Sequence, residues 1–179
     1  MNVLVLNGSP RTLGSCDRLT SALLQSFSKE DRIKILKPFE MDITACNACG
    51  YCKAADGCSK KDLEEFALYY AQADVVIVAS PVYNYSMPAP LKALFDRFQR
   101  YYEANERGVN IFEKPKTAVL IVTAGCDGRI GFEVIKKQVE GGLKNMNTRL
   151  TASVLINGTD ERQLTEADYA KVRELARYI

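Results

Sequence analysis

The sequence predicts an α/β fold in which a five-stranded parallel sheet carries helices on both faces. Short apolar runs and segments with helical apolar spacing alternate five times along the chain. Two of the runs, residues 75–79 and 117–123, are almost entirely apolar, as is typical of central strands covered on both faces. The 179 residues are 47% hydrophobic and 26% charged, which is enough for one core, so we expect a single domain spanning residues 1–179.

The first half of the chain is predicted to contain three strands and two helices. Residues 3–6 form a short strand, and the apolar spacing over residues 17–27 predicts a helix. Alternating charged and apolar residues at 32–37 indicate an edge strand. Residues 59–62 have the Ser-x-x-Asp form of a capping box, so we expect a helix to start there and to lead into the strand at 75–79.

The second half continues the alternation. Two prolines and an apolar stripe over residues 88–102 predict one long helix, and the polar residues 104–115 predict a loop. After the strand at 117–123, residues 134–143 have helical spacing and residues 150–156 form the last strand. A turn at Asn157-Gly158 then precedes a final helix, for which Thr165 is the expected N-cap with Asp168 three residues later.

Three predicted loops follow the carboxyl ends of strands, at residues 7–16, 80–87 and 124–129. Ligands of open parallel sheets bind at this edge. In the first loop, the glycines allow close approach of the backbone, and the following helix directs free amides and a positive dipole end at an anion. Ser9, Arg11 and Ser15 add donors. The loop therefore predicts a phosphate site, although an ordinary turn with Ser15 as N-cap is the alternative.

The second and third loops suit a flat ring better than a second phosphate. Pro81, Val82, Tyr83 and Asn84 offer aromatic surface on a proline-stiffened turn. Ala124-Gly125 in the third loop allows the backbone to approach a ring edge. A phosphate at one end and a heterocycle at the other describe a mononucleotide. The alternative is that the tyrosines lie on the free surface or fill a subunit contact.

Several motifs occur in one order over residues 1 to about 123: Gly8-Ser9-Pro10-Arg11, Gly14-Ser15-Cys16, Ser80-Pro81-Val82-Tyr83 and Leu91-Lys92-Ala93-Leu94-Phe95-Asp96-Arg97. Together they resemble the NAD(P)H-dependent FMN reductase family of flavodoxin-like flavoproteins. The resemblance implies a flavodoxin-like three-layer sandwich and a homodimer or homotetramer with the flavin near a subunit interface. It also implies FMN contacts from the ten residues Ser9, Arg11, Ser15, Cys16, Pro81, Val82, Tyr83, Asn84, Ala124 and Gly125. Cys16 departs from the family pattern, since many members have Asn-Thr in place of Ser15-Cys16 and a thiol is a weaker donor than a hydroxyl.

Four of the six cysteines lie within residues 46–58, with the spacing Cys46-x2-Cys49-x2-Cys52-x5-Cys58. Thiolates at this spacing can surround a [4Fe-4S] cluster. The pattern resembles the iron–sulfur flavoprotein branch of the same family, which implies a cluster that receives electrons from a ferredoxin-like protein donor. Zinc bound by four thiolates and reduced cysteines without any metal are the two alternatives.

Composition narrows the chemistry further. The chain has no histidine, which removes the commonest general base, and its net charge of +2 with scattered Lys and Arg does not indicate nucleic-acid binding. No apolar run is long enough to span a membrane, and Met1 leads directly into the first strand without a signal peptide, so we expect a cytoplasmic protein.

The sequence therefore favours an oxidoreductase that passes electrons from NAD(P)H through FMN to a small acceptor such as a flavin, a quinone or a nitro or azo compound. Because the flavin carries the chemistry, no catalytic residue is predicted. An iron–sulfur electron carrier and a non-enzymatic flavin- or metal-responsive module are the alternatives.

Overall fold

Five parallel strands form one sheet in the order β2-β1-β3-β4-β5. A computed structural model describes every residue from Met1 to Ile179. The strands are β1 (Asn2–Asn7), β2 (Arg32–Leu36), β3 (Val75–Pro81), β4 (Lys116–Thr123) and β5 (Thr148–Ile156). This order is that of flavodoxin-like doubly wound sheets, so the predicted fold class is confirmed. β2 lies at an edge, as its alternating charges indicated.

Helices cover both faces of the sheet. They are α1 (Ser15–Leu24), α2 (Tyr51–Ala54), α3 (Glu64–Gln72), α4 (Ala89–Asp96), α5 (Gln99–Glu106), α6 (Arg129–Lys144) and α7 (Glu166–Arg173). Successive strand residues point to opposite faces. Val3 and Val5 of β1 therefore pack with α1 and α7, whereas Leu4 and Leu6 pack with α3 to α6. None of these helices combines the length and the apolar character needed to cross a bilayer.

The predicted long helix at residues 88–102 is wrong in one respect, because the structure divides it into α4 and α5. At the break, Phe98 N donates to Phe95 O at 3.0 Å and Tyr101 N donates to Phe98 O at 2.9 Å, which are the tighter bonds of a 3-10 turn. Phe95 and Phe98 are both buried there. The tighter turn lets both rings reach the core while Arg97 between them points towards the cysteine segment. α5 then runs to Glu106, three residues into the predicted loop.

The capping box predicted at residues 59–62 is also wrong. α3 begins at Glu64, and its N-cap Leu63 makes no side-chain bond. Asp62 instead accepts a hydrogen bond from Thr44 N at 2.7 Å and pairs with Arg97 at 2.8 Å, so a tertiary contact outcompetes the local cap.

The second capping box, at the start of α7, is confirmed. Thr165 N donates to Asp168 Oδ2 at 2.8 Å, and Asp168 N donates to Thr165 Oγ1 at 3.4 Å.

Candidate functional site

A cleft opens at the carboxyl edge of the sheet, where the loops after β1, β3, β4 and β5 meet. Its lining residues are Ser9, Arg11, Ser15, Cys16, Pro81, Val82, Tyr83, Thr123, Gly125, Thr159 and Asp160. The structure thus brings together most of the residues predicted to contact a cofactor. Two of the predicted residues, Asn84 and Ala124, do not line the cleft.

The loop after β1 is held in shape by two polar side chains. Asn7 Nδ2 donates to Asp17 Oδ1 at 2.5 Å, and Asn7 Oδ1 accepts from Ser9 N at 3.0 Å. Asp17 Oδ2 accepts from Leu13 N at 2.8 Å, where the backbone of Leu13 is left-handed with φ of 57°. The loop conformation is therefore fixed from both ends before any ligand arrives.

This loop contains unpaired backbone donors. The backbone amides of Thr12, Ser15 and Cys16 donate to no acceptor in the protein, and Ser15 and Cys16 line the cleft. Gly14, not Ser15, is the N-cap of α1, so the simple turn with Ser15 as cap is not what forms. Free amides at a helix N-terminus, with the serine hydroxyl and Arg11 beside them, are suited to a phosphate.

Cys16 contributes a buried, neutral thiol. Its Sγ lies 3.3 Å from Thr123 Oγ1 at the end of β4. Burial raises the pKa of Cys16 from its usual 9.0 to about 11, and the hydrogen bond with Thr123 only partly offsets this effect. At neutral pH the thiol is protonated, which makes it a packing group and weak donor rather than a nucleophile.

The loop after β3 ends in a tight turn. Tyr83 N donates to Ser86 O at 2.8 Å and Ser86 N donates to Tyr83 O at 2.9 Å. Asn84 and Tyr85 both have positive φ, 48° and 63°, as in a type I′ turn. Asn84 sits at the tip of this turn, which explains why it does not line the cleft, while Tyr83 at its base does and is 42% exposed.

The loops after β4 and β5 are bonded to each other. Thr159 N donates to Ala124 O at 3.0 Å and Asp160 N donates to Gly125 O at 3.3 Å. A Cβ on Gly125 would lie 2.2 Å from Asp160 Oδ2, so a larger residue here would displace the Asp160 side chain. Ala124 is buried by the same packing and offers the cleft no side chain.

Sequence reasoning missed three lining residues, Thr123, Thr159 and Asp160. A signal was present for two of them, because Thr159 and Asp160 follow the carboxyl end of the last strand at the same sheet edge as the other loops. Asp160 lies 3.6 Å from Arg11 across the cleft. The Asp160 carboxylate therefore lies beside Arg11, the cation that was predicted from the sequence to bind a phosphate.

The enclosed part of the cleft has a volume of about 70 Å³. Ligand pockets usually measure roughly 300 to 1,000 Å³, so this space suits a phosphate group rather than a whole mononucleotide. A flat ring attached to that phosphate would lie outside the enclosed part, against the exposed face of Tyr83. The residues present fit FMN if its phosphate occupies the enclosed part and its ring lies outside it.

A second pocket, of about 400 Å³, lies on the other side of α4 and α5 from the sheet core; we call it the cysteine pocket. Cys46, Cys49, Cys52 and Cys58 all line it, together with Arg97. All four thiols are free. The predicted thiol set thus shares one concave site, whereas Cys126 is exposed and lines neither pocket described here.

The four thiols are not gathered as they would be around a single ion. No three His, Cys, Asp or Glu side chains lie close enough together to hold a metal ion. The separation of the thiols therefore disfavours a single zinc ion bound by all four of them.

Local contacts shift the thiol pKa values of the cysteine pocket in opposite directions. A hydrogen bond from Ser59 Oγ, 3.3 Å away, lowers the pKa of Cys49, whereas burial raises the pKa of Cys52.

Arg97 forms the inner wall of the cysteine pocket. Burial disfavours its charge, but the hydrogen-bonded Asp62 and the nearby Cys58 raise the pKa of Arg97 above its ordinary value. Burial likewise opposes ionisation of Asp62, but Arg97 and the Thr44 amide lower the pKa of that carboxyl to about 2.

The fold and the loop geometry define a flavodoxin-like protein with a cleft at the carboxyl edge of its sheet. Comparison with known protein families identifies the family of this chain. The model of the NADPH-dependent FMN reductase family matches residues 1–159, and the chain belongs to this family. The predicted family is thereby confirmed.

Individual relatives carry two kinds of name. An iron-sulfur flavoprotein of Methanosarcina thermophila is 37% identical over 100 residues, which are 54% of this chain and 52% of that protein. An FMN-dependent NADH:quinone oxidoreductase of Metamycoplasma arthritidis is 24% identical over 142 residues, covering 75% of this chain and 72% of that protein. The chain spans about half the length of the iron-sulfur flavoproteins it matches.

Solved structures share the fold. An azoreductase from Bacillus anthracis superposes with a TM-score of 0.72 over the full length of both chains at 17% identity. A flavone reductase gives the same TM-score at 14% identity and covers 99% of this chain and 61% of its own. At these identities the likeness is one of architecture.

Proposed function

We propose that this protein is an FMN-dependent oxidoreductase that transfers electrons from NAD(P)H to a small acceptor such as a flavin, a quinone or a nitro or azo compound. The observation that carries the proposal is the cleft after β1. There, Arg11 and two residues with free backbone amides, Ser15 and Cys16, line a space the size of a phosphate group. Family membership supplies the identity of the cofactor.

The residues of the chain bind and orient the cofactor. Arg11, Ser9, Ser15 and the free amides would hold the FMN phosphate, and Pro81, Val82 and Tyr83 would support one face of the flavin ring, with Asn84 and the backbone at Ala124-Gly125 as further proposed contacts. Bound FMN supplies the hydride and electron chemistry. The chain therefore needs no proton-transferring residue, which agrees with its lack of histidine.

The activity is tested with the purified chain loaded with FMN. NADH or NADPH is added anaerobically, and its absorbance is followed with and without a quinone, an azo dye or free flavin. We expect oxidation of one of the two nucleotides that requires both FMN and an acceptor. Bound FMN that neither nucleotide reduces would contradict the proposal and would favour a carrier fed by a protein donor or a flavin-responsive binding module.

A second candidate function is an electron carrier with a [4Fe-4S] cluster fed by a ferredoxin-like protein. The specific observation in its favour is that Cys46, Cys49, Cys52 and Cys58 line one pocket. These four thiolates would hold the cluster, which would supply single-electron transfer. The similarity to iron-sulfur flavoproteins adds support, within the half-length that it covers.

Metal content and one variant separate the candidates. Anaerobically purified protein is assayed for FMN, iron, zinc and acid-labile sulfide per chain. About four irons and four sulfides would support the carrier, and FMN without metal would leave the NAD(P)H-dependent enzyme.

We predict that Cys49→Ser abolishes any iron while FMN stays bound, because Cys49 lines the cysteine pocket and not the cleft. Cys126→Ser, at a cysteine outside both pockets, is the matched control. Loss of FMN from Cys49→Ser would show instead that the cysteine segment supports the flavin cleft.

We further propose that the chain forms a homodimer or homotetramer through the surface beside the cleft. The turn at Tyr83–Ser86 packs against the start of α6 and leaves large apolar side chains in solvent. Tyr85 is 64% exposed and Ile130 is 68% exposed. Adjacent exposed apolar side chains of this size are typical of interaction surfaces.

A further inference from the structure

Arg97 is a buried cation at the break between α4 and α5. Its side chain is only 1% exposed. Nη1 donates to Thr44 O at 2.7 Å, Nη2 donates to Lys60 O at 3.0 Å, and the guanidinium pairs with Asp62 at 2.8 Å. Thr44 and Lys60 flank the four cysteines on either side in the sequence. Arg97 therefore holds both ends of the cysteine segment against the helices.

One donor of Arg97 is left over. Its Nε is fully buried and has no hydrogen-bond partner in the protein. An unpaired buried N–H is costly, and such groups are rare in folded proteins. Because Arg97 lines the cysteine pocket, the acceptor that is missing from the chain can be supplied by whatever the pocket binds.

The other charges of the pocket do not replace Arg97. Lys53 and Lys60 bring positive charge, and Asp96 and Glu103 bring an equal amount of negative charge. Arg97 adds one positive charge, which its ion pair with Asp62 offsets, so the pocket has no net charge before any thiol ionises. A group held by four thiolates is anionic, and hydrogen bonds and positive charge near its sulfurs favour its reduced form.

We propose that Arg97 is a positioning residue of the cysteine pocket, which fixes both ends of the cysteine segment through its Nη atoms and donates its Nε–H to sulfur of an anionic iron–sulfur group bound there. This inference rests on the second candidate function proposed above. It assigns to Arg97 a direct effect on the reduction potential of that group as well as on its retention.

Arg107 provides the matched control. Its guanidinium donates to Cys52 O and pairs with Asp56 at 2.6 Å, so it also ties the cysteine segment to α5. Unlike Arg97, it does not line the cysteine pocket. Arg107→Gln therefore removes a tie to the segment and one positive charge without removing a donor from the pocket.

The test compares the full chain with Arg97→Gln, Arg97→Lys and Arg107→Gln. Each protein is reconstituted anaerobically with ferrous iron and sulfide, iron and sulfide are counted per chain, and the midpoint potential is measured by optical reductive titration. We expect Arg97→Gln to retain several-fold less iron and to show a lower midpoint potential. Arg97→Lys should recover part of both, and Arg107→Gln should keep the potential of the unmodified chain. FMN binding reports on folding in every variant.

The outcomes separate the two proposals. If the unmodified chain takes up iron and sulfide but Arg97→Gln keeps its iron content and potential, the role of Arg97 is overturned while the carrier function stands. The same holds if Arg107→Gln lowers the potential as much as Arg97→Gln does. If the unmodified chain takes up no iron, both proposals fail. If Arg97→Gln loses FMN and is therefore unfolded, Arg97→Lys becomes the deciding variant, because it keeps the charge but lacks the Nε–H donor. An unchanged midpoint potential in Arg97→Lys would then contradict the proposal.

Discussion

Arg11 carries the only positive side-chain charge in the cleft at the carboxyl edge of the sheet. It is 73% exposed, so it is free to reorient towards an incoming phosphate. The neighbouring Ser9 and Ser15 offer neutral donors, which form weaker bonds to an anion than a guanidinium does. We therefore expect a large part of the affinity for the FMN phosphate to depend on this residue.

Arg11→Ala should weaken FMN binding by roughly tenfold, the loss expected for one charge-assisted hydrogen bond at an exposed site. Isothermal titration of the apoprotein with FMN measures it. Arg149→Ala, which removes the same charge from an exposed position near the amino end of β5, should bind FMN as the unmodified chain does. Equal affinity in Arg11→Ala would remove Arg11 from the site.

Asp160 opposes phosphate binding by pairing with Arg11 at 3.6 Å and by adding a negative charge to the cleft. Asp160→Asn should therefore strengthen FMN binding by about twofold to fivefold, a small effect because both side chains are largely exposed. The gain should shrink as salt is added, since screening weakens the repulsion. Glu161→Gln, outside the cleft, is the control, and weaker binding by Asp160→Asn would mean that Asp160 contacts the ligand favourably.

At the scale of elements, the start of α7 is stabilised by Asp168, which lies almost buried at its N-terminus. The carboxylate accepts bonds from Arg162 at 2.6 Å and from Thr165 N at 2.8 Å. The hydrogen bond from Arg162 is the main cause of a strongly lowered pKa at Asp168. The ionised form is therefore favoured by folding, and its contribution is present above the usual carboxyl pKa and lost as pH falls.

Asp168→Asn should lower the free energy of unfolding by about 1 to 2 kcal/mol at pH 7, because it breaks a capping box and a charged hydrogen bond. Urea denaturation at several pH values measures this difference. It should narrow as the pH drops below 3.8, the usual pKa of the carboxyl, because the unfolded chain then binds a proton that the folded chain does not. Glu174→Gln, at an exposed position after α7, should change little. A difference that does not depend on pH would contradict the charged cap.

The sequence predicted the elements well where local patterns determine them. The apolar runs of β3 and β4 and the Thr165–Asp168 cap need no distant partner, and all three form as expected. The failures involve long-range partners. Asp62 leaves its local capping position to bind Arg97, 35 residues away, and the same arginine sits at the break that divides α4 from α5.

In the cleft, too, the features set by local sequence could be predicted and those set by long-range contacts could not. The loop after β1 could be predicted because the Gly and Ser residues and the following helix are contiguous in the chain. Asp160 could not be assigned to Arg11, since its approach depends on the contact between Gly125 and the loop after β5. The position of Asn84 at the tip of a type I′ turn was equally hidden, because Asn84-Tyr85 is not one of the usual sequence pairs for that turn.

At the scale of the whole molecule, the apolar surface beside the cleft predicts self-association. Ile130→Asp should convert the proposed homodimer or homotetramer to a monomer, because it places a charge in the proposed contact. Light scattering after size-exclusion chromatography measures the mass. Leu68→Asp, at an equally exposed side chain on α3 that does not line the cleft, should leave the mass unchanged. The proposed contact would be contradicted if the unmodified chain is a monomer, or if Ile130→Asp forms an oligomer of the same mass as the unmodified chain.

The measurement that tests the account most directly is the calorimetric titration of the apoprotein with FMN. We expect one FMN per chain, with binding weakened in Arg11→Ala and preserved in Arg149→Ala. No binding by the unmodified chain, or binding that ignores Arg11, would contradict the assignment of the cleft as the flavin site.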